Sequence, residues 1–290
     1  MKIDSKNIFC SVSAGYSSVM MAIKLREWLP NHNIVYAMAN TSKERLESLE
    51  FMNECDIHYG LNLKWIEAQF HEHGTGATPK VVSYSELKTN GEIFEDGIKK
   101  NGIPFSKNKW CNRDMKLEVL RKYADSVFGK NDYSIAVGIR VDEFDRVRKD
   151  YKTNNVFYPL IDNEIDTKSR NLFWSKQPIQ IKTPAFKGNC DLCFEKSNRK
   201  LMTILSEEPK TGDWWQDMVN KYGKIEKPTS PSYNDLLKKN GRMTFYRGYQ
   251  DINDLVKQAQ YPFSKASDEY VYESDLLDLE GDCGSGCQVF

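Results

Sequence analysis

The chain lacks the usual marks of several protein classes. No Gly-x4-Gly-Lys-Ser/Thr run occurs, so there is no Walker loop. Net charge is absent, with 41 Lys+Arg against 41 Asp+Glu. A balanced chain has no general pull on nucleic acid or membrane, so any basic site must be local. No stretch approaches the ~18 uncharged apolar residues of a membrane span. The opening residues, MKIDSKN, are polar and lack the pattern of a secretory leader. The expectation is a soluble cytoplasmic protein. Internal repeats and low-complexity tracts are also missing.

There are 7 cysteines, an odd count for a chain without that leader. Disulfides are not expected in a reducing compartment. Cys10 sits in an apolar run and Cys55 on a helix, both read as small core residues. Cys111, Cys190, Cys193, Cys283 and Cys287 sit beside loop signals and call for another account.

Apolar periodicity alternates between strand and helix through the first half. Strands are expected at 7–12, 33–39, 63–68 and 133–139, with a last one at 156–161. Helices are expected at 18–29, 43–59, 83–101 and 113–128. Leu46, Leu49 and Met52 are read as the inward face of the second. This alternation predicts a doubly wound parallel α/β sheet, with ligands beyond the carboxyl ends of its strands. Residues 1–162 are read as that domain. Residues 163–290 are read as a helical, cysteine-containing extension packed on it.

The segment SVSAGYSS lies between the first strand and the first helix. A helix N-terminus there offers free N–H groups and partial positive charge to a phosphate. Gly15 admits close approach, and Ser13, Ser17 and Ser18 add hydroxyls. Taken alone, a serine in such a turn serves equally as a helix cap. Further along, Arg140, Asp142, Glu143 and Arg146 follow a strand. The two arginines suit phosphate or sulfate oxygens, or else form internal ion pairs with the acids. The loop FHEHGTGATPK carries His71, His73 and Lys80. Histidines at i, i+2 fall on opposite sides of an extended chain, so metal is not expected. Lys80 is expected near the phosphates.

SVSAGYSS resembles the pyrophosphate loop of the adenine-nucleotide α-hydrolase superfamily, Ser-Gly-Gly-x-Asp-Ser. Ala14 replaces the first Gly, and Ser17 replaces the Asp. The segments NTSKE, WCNRD, GIRVDEFDR and CDLC resemble further family motifs in order and spacing; Ser42 stands where Gly is usual. The closest resemblance is to the phage and prophage branch of phosphoadenylyl-sulfate (PAPS) reductase-like proteins. This implies an adenine-nucleotide site, for PAPS or for ATP with magnesium. Its residues would be Ser11, Ser13, Ala14, Gly15, Ser17, Ser18, Asn40, Thr41, Lys80, Gly138 and Arg140.

Cys190-x2-Cys193 is a compact chelating pair by spacing, open to metal or dithiol chemistry. The resemblance implies a 4Fe–4S cluster, with zinc as the alternative, on Cys111, Cys190, Cys193 and Cys287. Trp110 occupies the place of a further cysteine. Asp282-Cys283-Gly284 resembles the reductases' carboxyl-terminal motif, which makes Cys283 the implied nucleophile, with Arg140 and Arg146 at the reacting group. An alternative assignment makes Cys283 a ligand.

The implied activity is sulfonucleotide reduction, with an electron or sulfur donor as partner. The runner-up is an AMP-forming, iron–sulfur sulfurtransferase acting on DNA or tRNA. A third reading is a silent nucleotide-binding protein. Phe173, Trp174, Trp214, Trp215, Tyr246 and Tyr249, interspersed with Arg199, Lys200, Arg242 and Arg247, are read as core before nucleic-acid surface.

Overall fold

The computed structural model describes residues 5–72, 76–151, 153–188, 190–227 and 230–268. The chain runs β1 (Asn7–Ser11), α1 (Tyr16–Trp28), β2 (Asn33–Asn40), α2 (Leu46–Tyr59), β3 (Lys64–Phe70), β4 (Ala77–Val82) and α3 (Glu92–Asn101). It continues with α4 (Trp110–Asn112), α5 (Glu118–Phe128), β5 (Ser134–Ala136), β6 (Val156–Phe157) and α6 (Pro159–Asp162). The extension carries α7 (Thr167–Trp174), α8 (Asn198–Glu207), α9 (Thr211–Tyr222), α10 (Pro231–Asn240) and α11 (Ile252–Gln258). A π-turn, Arg113–Leu117, joins α4 to α5.

The strands form one sheet in the order β4-β3-β2-β1-β5-β6. All pairs are parallel except β3 with β4. This is an α/β, Rossmann-like architecture. Alternate strand residues feed two cores. Phe9, Ala37, Ile66 and Ile135 face one side with α3, α5 and most of the extension. Ile8, Cys10, Tyr36 and Trp65 face the other with α1, α2 and Trp174. The extension shares both cores, so it packs on the sheet.

Four expectations need correction. The helix expected at 83–101 is a short 3-10 turn, Tyr84–Glu86, followed by α3. Gly91 opens α3 at φ +89, where a continuous helix is impossible. The strand expected at 156–161 stops at Phe157, because Pro159 starts α6. The end of the expected loop FHEHGTGATPK, Ala77 to Lys80, instead joins Val81 and Val82 in the antiparallel edge strand β4, with Thr78, Lys80 and Val81 exposed. Leu46 opens α2 and is 56% exposed rather than inward.

Candidate functional site

β1 lies between β2 and β5, so the sheet order reverses at its carboxyl end. That is where an open α/β sheet leaves a crevice. A cleft of about 530 Å³ opens there. It is lined by residues 11–18, the end of β5 through Ile139, Glu143 and Arg146, and parts of the extension.

The loop is held by its own atoms. The Ser13 N–H donates to Ser18 Oγ at 2.9 Å, and the Val19 N–H donates to the Gly15 carbonyl at 3.0 Å, opening α1. Gly15 has an ordinary φ of −110°, so the backbone does not demand glycine there. A side-chain carbon would meet only Ser13 Oγ, at 3.9 Å, so the absent side chain leaves the loop open. Ser11 is 3% exposed, and its Oγ has no hydrogen-bond partner among the described residues. An unmet buried hydroxyl costs about 1–3 kcal/mol, so this one awaits a partner.

The arginines divide their work. Arg140 donates to Ser17 Oγ at 2.7 Å and pairs with Asp142 at 2.9 Å and Glu143 at 3.0 Å. It therefore braces the loop and is not among the residues lining the cleft. Arg146 lines the cleft and pairs with Glu143 at 2.5 Å, while its buried Nε has no partner among the described residues. Burial pushes the Asp142 carboxyl up, but hydrogen bonds from Arg140 and Thr167 outweigh this and hold it below its ordinary value. Arg170, on α7, also lines the cleft. Sequence reasoning passed over it, because nothing in a Trp/Lys/Arg-rich helix marks which cation turns inward.

Three expected nucleotide residues sit elsewhere. Asn40 is fully buried, donating to Glu67 Oε1 and the Lys88 carbonyl, both at 2.8 Å. The Thr41 N–H and hydroxyl both donate to the Glu44 carboxylate, at 2.8 and 2.9 Å. Lys80 is exposed on β4, the sheet edge three strands from β1, and does not line the cleft. His71 faces Thr78 within the same hairpin, at 2.7 Å. Ser42 has φ +64, in the left-handed region that glycine enters freely. Its Oγ accepts from the Ile93 N–H at 3.0 Å, so the hydroxyl caps α3 where glycine could not.

Trp110 is fully buried, and its indole N–H donates to the Gly102 carbonyl at 2.9 Å. It is a core residue. Cys111 is half-buried beside it. Cys190 and Cys193, each 6% exposed, pack on one another. Cys190 Sγ lies 3.9 Å from Glu44 Oε1 and 3.6 Å from Thr41 Oγ1. Lys116 Nζ approaches the same Glu44 carboxylate at 3.7 Å, and both Lys116 and Glu44 line the cleft. The CxxC turn therefore abuts the cleft through Glu44. Among the described residues no three His, Cys, Asp or Glu side chains come together as a metal set. Cys283 and Cys287 lie outside the described residues.

The aromatic-rich half is mostly interior. Trp174, Trp215 and Tyr246 are at most 1% exposed. Lys43 Nζ sits 4.6 Å from the Trp214 ring and pairs with Asp191 at 2.8 Å. The Trp215 indole also donates to Asp191, at 2.8 Å. Tyr249, at 67%, is exposed. Among the described residues no helix is long and apolar enough to cross a membrane.

No family model matches the chain. An uncharacterized nin region protein of Escherichia phage lambda is 23% identical over 262 residues, covering 89% of this chain and 86% of that protein. Two uncharacterized proteins of Methanocaldococcus jannaschii are 22% and 21% identical over 75% and 73% of this chain. The chain spans only 42% and 47% of those two proteins. The first relative adds a phage association; none of these names states an activity.

Proposed function

We propose that the chain is an enzyme of the PAPS-reductase-like branch of the adenine-nucleotide α-hydrolase superfamily, and that its cleft holds an adenylyl nucleotide by its phosphates. One observation carries this reading. Donors without partners among the described residues converge on one cleft: Ser11 Oγ, Arg146 Nε and the N-terminus of α1. Unmet donors beside a helix N-terminus are chemistry for an oxyanion. Ser17 supports the sulfonucleotide over ATP. It stands where an Asp is usual, and its oxygen is taken by Arg140. The loop thus has no carboxylate to hold magnesium beside the phosphates.

In the proposed reaction the Cys283 thiolate attacks the sulfonyl sulfur. The sulfur–oxygen bond to phosphate breaks, and adenosine 3′,5′-bisphosphate leaves with the electron pair. A dithiol then attacks the Cys283 sulfur of the thiosulfonate, releases sulfite and ends as a disulfide. Arg146 steadies the leaving phosphate, and Arg140 fixes the loop through Ser17. Of the expected thiolate set for an iron–sulfur cluster or zinc, Cys111, Cys190 and Cys193 lie among the described residues and Cys287 lies outside them. When bound, such a group would supply a structural tie or an electron store.

The test is anaerobic purification, then turnover with PAPS and with ATP and magnesium. Sulfite from PAPS, lost in Cys283→Ser, is the expected outcome. Pyrophosphate release from ATP, stimulated by DNA or tRNA, would establish the sulfurtransferase instead. Nucleotide binding with no turnover of either would leave a binding protein. Iron and sulfide analysis of the same sample separates cluster from zinc.

A further inference from the structure

The cleft has two walls of different origin. One is the serine loop with the ends of β1 and β5. The other comes from the extension, between Arg170 and Gly188. From Thr167 to Cys190 the chain carries 5 cations and no acid, in a sequence that otherwise balances its charges. Lys187 pairs with Glu207 and Glu208. Lys168, Lys176 and Lys182 are exposed. Of the five cations, only Arg170 lines the cleft.

Arg170 differs from its neighbours in what it lacks. Arg140 and Arg146 each hold Glu143. Arg170 has no carboxylate within ion-pair distance among the described residues. Among the described residues its hydrogen bonds go to Asn171 Oδ1, from Nε at 3.0 Å and Nη2 at 2.7 Å. Burial, and then the like charge of Arg140, lower its pKa, and the acids Glu143 and Asp142 oppose this without outweighing it. A desolvated cation beside a cation is unfavourable until an anion joins it. From the same wall, Thr183 Oγ1 is buried without a hydrogen-bond partner among the described residues, and it too lines the cleft. Asp268 is an acid of the same wall. Its carboxylate accepts from the Ala185 and Phe186 N–H groups, at 2.7 and 3.4 Å, and does not contact Arg170.

We infer that Arg170 and Thr183 form a second anion subsite, so the ligand carries two separated anionic groups, one on the serine loop and one on the extension wall. This rests on the nucleotide reading above. The second group is either a ribose phosphate or the far end of a polyphosphate.

Calorimetric titration of the full chain with adenosine 5′-monophosphate, adenosine 3′,5′-bisphosphate and ATP tests it. One doubly anionic ligand is expected to bind about tenfold or more tighter than the monophosphate, some 1.4 kcal/mol. Preference for the bisphosphate places the second group on the ribose; preference for ATP places it on the phosphate chain. Arg170→Gln is expected to shrink the preference to about twofold while leaving monophosphate affinity unchanged. Arg170→Lys is expected to keep part of it. Circular dichroism confirms that each variant is folded. Equal weakening of all three ligands by Arg170→Gln overturns the subsite, as does a wild type without preference. Failure of every ligand to bind overturns the nucleotide reading as well, whereas monophosphate binding without preference overturns the subsite alone.

Discussion

Gly138 stands against the backbone of Ser18: a side-chain carbon on Gly138 would lie 2.8 Å from Ser18 Cα. The contact is backbone to backbone, so no rotamer change relieves it. It sets the spacing between the end of β5 and the first turn of α1, and therefore the mouth of the cleft. Gly138→Ala is expected to cost about 1–3 kcal/mol by overpacking. It is also expected to weaken nucleotide binding. Urea unfolding and calorimetry on the same variant check both, and an unchanged midpoint would count against the spacing role.

Ser42 combines a strained backbone with a useful hydroxyl. Ser42→Ala keeps the left-handed φ and loses the cap on α3. Ser42→Gly loses the cap but relieves the strain. The alanine variant is expected to be less stable than the glycine variant by about 1 kcal/mol. Thermal melts of the pair give the sign directly.

Buried Lys43 and half-buried Asp191 form a pair that ties the β2–α2 loop to the CxxC turn. The Asp191 N–H also donates to the Lys43 carbonyl, at 2.9 Å. Asp191→Ala strands the Lys43 ammonium and is expected to cost about 3–5 kcal/mol. Labelling of Cys190 and Cys193 by a thiol reagent should speed up in parallel. Unaltered labelling would show that the turn is held by other contacts.

Acid should weaken the fold in a defined window. Burial raises the Glu208 carboxyl, but hydrogen bonds from Arg45 and Lys187 outweigh it and hold it below its ordinary 4.5. Asp142 is likewise held below 3.8. A depressed carboxylate gives stability that is complete above its unfolded pKa and lost as pH falls through the folded one. Melting temperature should therefore decline as pH drops below about 4.5, and Glu208→Gln should flatten that decline. A variant with the same acid slope as wild type would remove Glu208 from the account.

Two thiols should be silent. Burial, followed by Glu54, pushes the Cys55 thiol up to about 12. Burial pushes Cys10 upward as well. At about pH 8 neither should react with Ellman's reagent until the protein is unfolded, since the thiolate is the reactive form. Peptide mapping of native and denatured samples distinguishes them from the other five.

Much of the fold was legible because buried parallel strands are plain apolar runs separated by periodic helices. β4 was not, since Pro79 and three exposed side chains read as loop. An edge strand needs no apolar alternation when one neighbour suffices. At the site, Ser11, Ser13, Gly138 and Arg146 were reachable from motif and position. Asn40 and Thr41 matched a motif too, yet their polar atoms are spent on Glu67, Lys88 and Glu44. Composition cannot show which hydrogen bonds are already made. Arg170 and Thr183 were out of reach for the converse reason: among the described residues no carboxylate pairs with Arg170 and no hydrogen bond reaches Thr183 Oγ1.

Tyr16 has a further consequence. Its ring stacks on Trp174 at 4.7 Å, its carbonyl accepts from the Trp174 indole, and its hydroxyl meets Gln180 and the Ile181 N–H. The residue that opens α1 is thus gripped by the extension. A fragment ending near residue 162 would keep the strands and the serines but release that grip. The serine loop and the far half of the chain are one mechanical part, so changes in either are felt by the other.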